Sequence, residues 1–137
     1  MTQEDKDLLL KDLCARLPYG VKIKEEYGDY IDVNIHNANI EHLIDRVVSG
    51  LDKLVLRPMS SMTEEERDEL KHIFNCDYVE FDCLEFTVGG SVDYDTFCMY
   101  YEHCAELVDW LNKKMFDYRG LIPKSLALEA KEGMYND

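Results

Sequence analysis

Val21-Lys22-Ile23-Lys24-Glu25-Glu26-Tyr27-Gly28-Asp29-Tyr30-Ile31-Asp32-Val33-Asn34-Ile35 alternates apolar and polar residues on either side of a Gly-Asp pair. A period of two is that of a half-buried strand, and a glycine-containing turn between two such runs signals a hairpin. The stretch therefore predicts two strands joined near Gly28-Asp29. Local hairpins and runs of strand between helices favour an α+β domain over an alternating parallel α/β design.

Upstream, Thr2 precedes the acidic residues Glu4, Asp5 and Asp7, as an N-cap and the helix dipole favour. Leu9, Leu10, Leu13, Cys14 and Leu17 then recur at helical spacing until Pro18-Tyr19-Gly20. Downstream, 37–56 is ambiguous. Ile40, Leu43, Ile44 and Val47 fit a helix, whereas 43–48 fits a third strand ended by Ser49-Gly50. Thr63 and Glu66 form a Thr-x-x-Glu capping box that opens a helix over 63–75, with Leu70, Ile73 and Phe74 as its buried stripe. The run 78–88 alternates with a slip in phase: Val79, Phe81 and Cys83 point one way, Leu84, Phe86 and Val88 the other. That slip predicts a bulge or tight bend at Cys83-Leu84.

Phe97, Tyr100, Tyr101, Cys104, Leu107, Val108, Leu111 and Met115 share one face of a helix over 95–116. Gly120 is placed to supply the left-handed residue past its end, and 126–130 reads as a short final helix. No repeat, low-complexity tract or linker appears. The reading is a single α+β domain over 1–137: a small, mostly antiparallel sheet with the long amphipathic helix 95–116 packed on one face. The N-terminal helix and the 63–75 helix are expected at the sheet's side or edge.

Charge is distributed unevenly. Residues 63–106 carry 13 acids against Arg67 and Lys71, a local net charge of −11 out of −14 for the chain. With a pI of about 4.6, the chain lacks the basic surface that counterion release from nucleic acid requires, and an anionic membrane surface is disfavoured too. No apolar run reaches the roughly 18 residues of a membrane span. The acidic N-terminus is unlike a secretory signal, so a cytoplasmic protein is expected. The five cysteines, odd in number and without a Cys-x-x-Cys pair, read as small buried hydrophobes in a reducing compartment.

Motifs for chemistry are weak. Cys76, Cys83, Cys98, His103 and Cys104 are zinc-ligand types, but their spacing is not that of short zinc knuckles. No Gly-x-Ser-x-Gly occurs, and Val88-Gly89-Gly90-Ser91 lacks the Gly-Lys-Ser/Thr ending of a phosphate loop. Asp93-Tyr94-Asp95 begins like a calcium loop, but Phe97 and Cys98 occupy later ligand and glycine positions. Neither catalytic residues nor a metal or cofactor site is assigned. The candidate interaction surface is Glu64, Glu65, Asp68 and Glu69 on a helix, with Asp77, Glu80, Asp82 and Glu85 on or beside a strand. Glu80 and Asp82 on one strand would form a row about 6–7 Å apart, a spacing near that of successive phosphates.

Two stretches carry a resemblance: 56–66, Leu-Arg-Pro-Met-Ser-Ser-Met-Thr-Glu-Glu-Glu, and Asp109-Trp110-Leu111-Asn112 through Phe116-Asp117-Tyr118-Arg119-Gly120-Leu121-Ile122 to Ala127-Leu128-Glu129-Ala130. They resemble small uncharacterised proteins of gut Bacteroides-type bacteria and their phages or prophages. The resemblance covers roughly a third of the chain and implies a cytoplasmic protein carried on mobile DNA; it brings no functional residues. The expectation is a non-catalytic interaction protein that uses its acidic 63–106 surface on another protein, in its sharpest form a nucleic-acid mimic. An enzyme or small-ligand binder with an unrecognised site, and a structural or assembly subunit forming a homo-oligomer, are the alternatives.

Overall fold

The computed structural model describes residues 1–74, 78–81, 85–89, 96–100 and 105–135, with the strands between 78 and 100 described by their backbone. In chain order the elements are α1 (Gln3–Arg16), β1 (Val21–Lys24), β2 (Tyr30–Val33), α2 (Ile40–Val48), β3 (Lys53–Leu56), α3 (Glu64–Phe74), β4 (Tyr78–Phe81), β5 (Glu85–Gly89), β6 (Thr96–Tyr100), α4 (Ala105–Lys113) and β7 (Ala127–Glu129). This is an α+β fold. The chain divides into two compact units, one built from Met1–Pro58 with Leu111–Asp137 and the other from Met59–Trp110.

In the first unit, α1 opens on a capping box. Asp5 N–H donates to Thr2 Oγ1 (3.1 Å) and Thr2 N–H to Asp5 Oδ2 (3.3 Å), satisfying two amides that the helix leaves free. The hairpin read from the sequence is present. β1 and β2 pair antiparallel with Val21 against Val33 and Ile23 against Ile31, and Lys24 Nζ braces the turn by donating to the Glu25 and Gly28 carbonyls. The ambiguous stretch is the helix α2, fixed at both ends. Asn39 Oδ1 accepts from His42 N–H (3.2 Å) at its start. At its end Gly50, at φ +84°, allows Leu51 N–H to reach the Arg46 carbonyl (3.0 Å) and Gly50 N–H the Val47 carbonyl (3.1 Å).

The sheet has the order β2-β1-β3-β7, with β1 antiparallel to β3 and β3 parallel to β7. Val21, Ile23, Val33, Leu54, Leu56 and Ala127 share one face of it by register, packed in one buried cluster with Leu9 and Leu13 of α1, Leu17 just past its end, and Leu43 and Val47 of α2. At the end of the β1–β3 ladder, Tyr135 inserts its hydroxyl between the strands. Lys22 N–H donates to Tyr135 Oη (2.8 Å), which donates to the Val55 carbonyl (2.5 Å).

In the second unit β4, β5 and β6 form an antiparallel sheet in that order, with Phe81 against Phe86 and Thr87 against Cys98. The change of side-chain phase in 78–88 thus falls between two paired strands; the bend at Cys83-Leu84 itself lies outside the described residues.

Four expectations are corrected. Of the expected 95–116 helix, 105–113 is the helix α4 but 96–100 is the strand β6; its aromatic residues satisfy helical spacing but also suit a strand. Gly120 is left-handed as expected (φ +75°), but the residue that terminates α4 is Met115 (φ +65°): Phe116 N–H reaches the Leu111 carbonyl (3.0 Å) and Met115 N–H that of Asn112 (3.2 Å). Residues 127–129 are a strand rather than a helix, since parallel pairing with β3 overrides the helix propensity of Ala-Leu-Glu-Ala. In α1, Leu10 and Cys14 are exposed, because the buried face turns toward Asp12 and Arg16.

Leu54 lies at 0% exposure in the central strand. Leu54→Ala is expected to lower stability by about 2–5 kcal/mol, read as a shift of the urea unfolding midpoint by circular dichroism.

Candidate functional site

The acidic helix is built as its sequence implies. Thr63 N–H donates to Glu66 Oε1 (3.0 Å) and Glu66 N–H to Thr63 Oγ1 (3.2 Å), so the capping box sets the start of α3. Glu64 and Glu65 follow at the positive end of the helix dipole. Leu70, fully buried, anchors the opposite side, whereas Ile73, expected in the stripe, remains 38% exposed. At 100° per residue Glu64, Asp68, Glu65 and Glu69 span an arc of about 140°, and all four are exposed. Asp68 lies 3.6 Å from Lys71 Nζ, and Glu69 Oε1 accepts from Trp110 Nε1 (3.1 Å), tying α3 to α4 past its midpoint.

The remaining candidates separate. Glu80 lies on β4 opposite Thr87, and Glu85 on β5 opposite Tyr100, which puts both on one face of the second sheet by register. Asp77 and Asp82 lie outside the described residues. Of the row expected along one strand, Glu80 is on β4, which spans Tyr78–Phe81, and its other member is not among the described residues. The cysteines at 76, 83 and 104 and His103 also fall outside the described residues. His36, His42 and His72 are exposed on a loop, α2 and α3.

No family model, curated protein or solved structure matches the chain. Among the described residues no group of three or more His, Cys, Asp or Glu is placed to hold a metal ion, and no helix is long and apolar enough to cross a membrane.

Sequence reading missed the ionic clusters of the first unit. Asp12 and Arg16, one turn apart on α1 and both at 0% exposure, form a bidentate pair (2.8 and 3.0 Å). Arg16 Nη2 also donates to the Phe116 carbonyl (2.7 Å), and Arg119 Nη1 donates to Asp12 Oδ1 (2.7 Å). The guanidinium carbons of Arg16 and Arg119 lie 5.6 and 4.6 Å from the Tyr118 ring centroid. Burial raises the Tyr118 phenol above its ordinary range, and it donates to Asn112 Oδ1 (3.0 Å). The i, i+4 spacing of Asp12 and Arg16 was the available signal, but that spacing is equally common on exposed helix faces.

A second cluster joins α2 to the hairpin. Asp52 accepts from Arg46 Nε (2.9 Å), Arg46 Nη2 (3.1 Å) and Glu26 N–H (3.1 Å). The hydrogen bonds from Arg46 hold the Asp52 carboxyl below the usual carboxylate range against the opposing effect of burial.

Both clusters generate tests. Asp12→Ala leaves two guanidiniums without their carboxylate and is expected to cost about 3–5 kcal/mol in urea unfolding. Because the folded pKa of Asp52 is depressed, its contribution to stability is present above the unfolded value of about 4 and is lost as pH falls through the folded value. The stability gap between wild type and Asp52→Asn, measured by thermal melts across an acid series, is therefore expected to close on acidification; a pH-independent gap would rule out that linkage.

Proposed function

We propose that this chain is a non-catalytic protein-binding molecule whose acidic α3 arc engages a basic surface on another protein. The observation that carries the reading is the exposure of Glu64, Glu65, Asp68 and Glu69 together on one arc of a capped helix. Such a concentration of one sign raises the encounter rate with a basic partner and repels acidic ones. Glu80 and Glu85 extend the acidic character of the second unit. A DNA-handling protein presents the appropriate basic groove, so the sharp form of the proposal is a nucleic-acid mimic. The exposed free thiol of Cys14 suits the reducing cytoplasm that this reading calls for.

The test compares tagged wild type with a Glu64→Gln/Glu65→Gln/Asp68→Asn variant in pull-downs from a related bacterial lysate, washed at low and then high salt. A basic protein released by salt, and bound about tenfold more weakly by a variant of unchanged melting temperature, is the expected result. Equal recovery by both proteins would reduce the arc to a solubilising surface.

A further inference from the structure

The outer edge of β2 is the most exposed apolar place in the first unit. Of the nine large apolar side chains that are exposed among the described residues, four (Tyr27, Tyr30, Ile31 and Ile35) fall within residues 27–35. β2 is also a terminal strand of its sheet. An antiparallel ladder alternates residues that bond inward with residues that bond outward. Glu25 N–H donates to the Asp29 carbonyl (3.3 Å), so Ile23 and Ile31 form the next bonded pair, and Tyr30 and Asp32 direct their backbone groups away from β1. The Lys22 N–H, which points to Tyr135 and not to β2, fits the same alternation.

One side chain already occupies part of this edge. Asn37 Nδ2 donates to the Asp32 carbonyl (3.3 Å) while Asn37 Oδ1 accepts from Asn34 N–H (2.9 Å). The amide thus offers one donor and one acceptor in the positions that a neighbouring strand would use. Unprotected edges of this kind invite pairing with another strand.

We propose that β2 is a self-docking edge: two copies of the chain pair β2 against β2 antiparallel about a twofold axis at Ile31, and the Asn37 side chain competes for that edge. Only this register places the outward-bonding Tyr30 against the outward-bonding Asp32 of the partner subunit, with Ile31 facing the partner's Ile31 in a close, non-hydrogen-bonded pair. It is also complementary in charge. The Tyr30 ring lies 5.7 Å from Lys24 Nζ and 5.6 Å from Lys131 Nζ, and this doubly basic position meets the partner's Asp32. The Asp32 side chain is 75% exposed and pairs with Lys22 of its own chain through Oδ1 (2.7 Å), so the contact with the partner subunit falls to Oδ2. The four-stranded sheet becomes eight-stranded without a new edge at its centre.

Sedimentation velocity over a concentration series tests this on the full chain, with Asn37→Ala, Ile31→Lys and the double variant beside wild type. Freeing the Asp32 carbonyl is expected to tighten dimerisation about tenfold in Asn37→Ala, and Ile31→Lys is expected to abolish it in both backgrounds. Ile31 is 37% exposed, so the lysine variant should fold, and circular dichroism melts check this. Asp32→Lys, which sets lysine against Lys131 of the partner subunit, is expected to give the same loss. A chain that stays monomeric even as Asn37→Ala, or a dimer that survives Ile31→Lys, would overturn the proposal.

Discussion

Arg16 is a guanidinium with no exposed surface, and much of the first unit is arranged to satisfy it. A buried charge is tolerated only when paired and hydrogen-bonded. Asp12 supplies the opposing charge from the same helix. The Phe116 carbonyl, a hundred residues further along the chain, accepts a further hydrogen bond from Arg16, while Arg119 donates to Asp12 and Arg16 Nη1 keeps no hydrogen-bond partner among the described residues. The consequence is a firm position for 115–119. Arg57 N–H donates to the Met115 carbonyl and Asp117 N–H to the Arg57 carbonyl, each at 2.8 Å, which extends the line of β3 past its last residue. Asp117 then folds the next loop by accepting from Leu121 and Ile122 N–H, both at 2.8 Å, and the chain is delivered to β7.

Much of this was legible before the structure. Caps at Thr2 and Thr63 obey local rules, and the hairpin at 21–33 needs only period and turn chemistry. What escaped reading depends on partners distant in sequence. Ala127-Leu128-Glu129 is helix-forming by propensity and becomes strand because β3 offers an open parallel edge. Leu10 and Cys14 look like core and Asp12 and Arg16 like surface until Phe116 and Arg119 are brought to them. Met115, a poor candidate for a left-handed conformation, takes it because its side chain is held in the core at 3% exposure. For the candidate site, the α3 arc followed from its capping box, a purely local signal.

The first unit holds 13 of the chain's 15 basic residues, and several of them are engaged in internal contacts. Lys22 pairs with Asp32 at 2.7 Å, Lys53 Nζ donates to the Ser125 carbonyl at 2.9 Å, and Arg57 stacks 4.1 Å from the Phe116 ring centroid. Glu64 and Glu65, by contrast, project from the first turn of α3 into solvent. The imbalance in composition is therefore sharpened at the surface, where encounter with a partner is decided.

The parallel pairing of β3 with β7 carries a consequence for synthesis on the ribosome. Leu54 meets Ala127 only after the intervening segment, including all of 59–110, has been translated. Until then α1, the hairpin, α2 and β3 form a partial sheet whose central strand has one side open and whose Arg16 lacks its distant acceptor. Contacts of such long sequence separation slow folding and prolong the life of exposed strand edges. The inserted segment, local in its own pairings, can fold first, and the first unit closes last, when the end of the chain arrives.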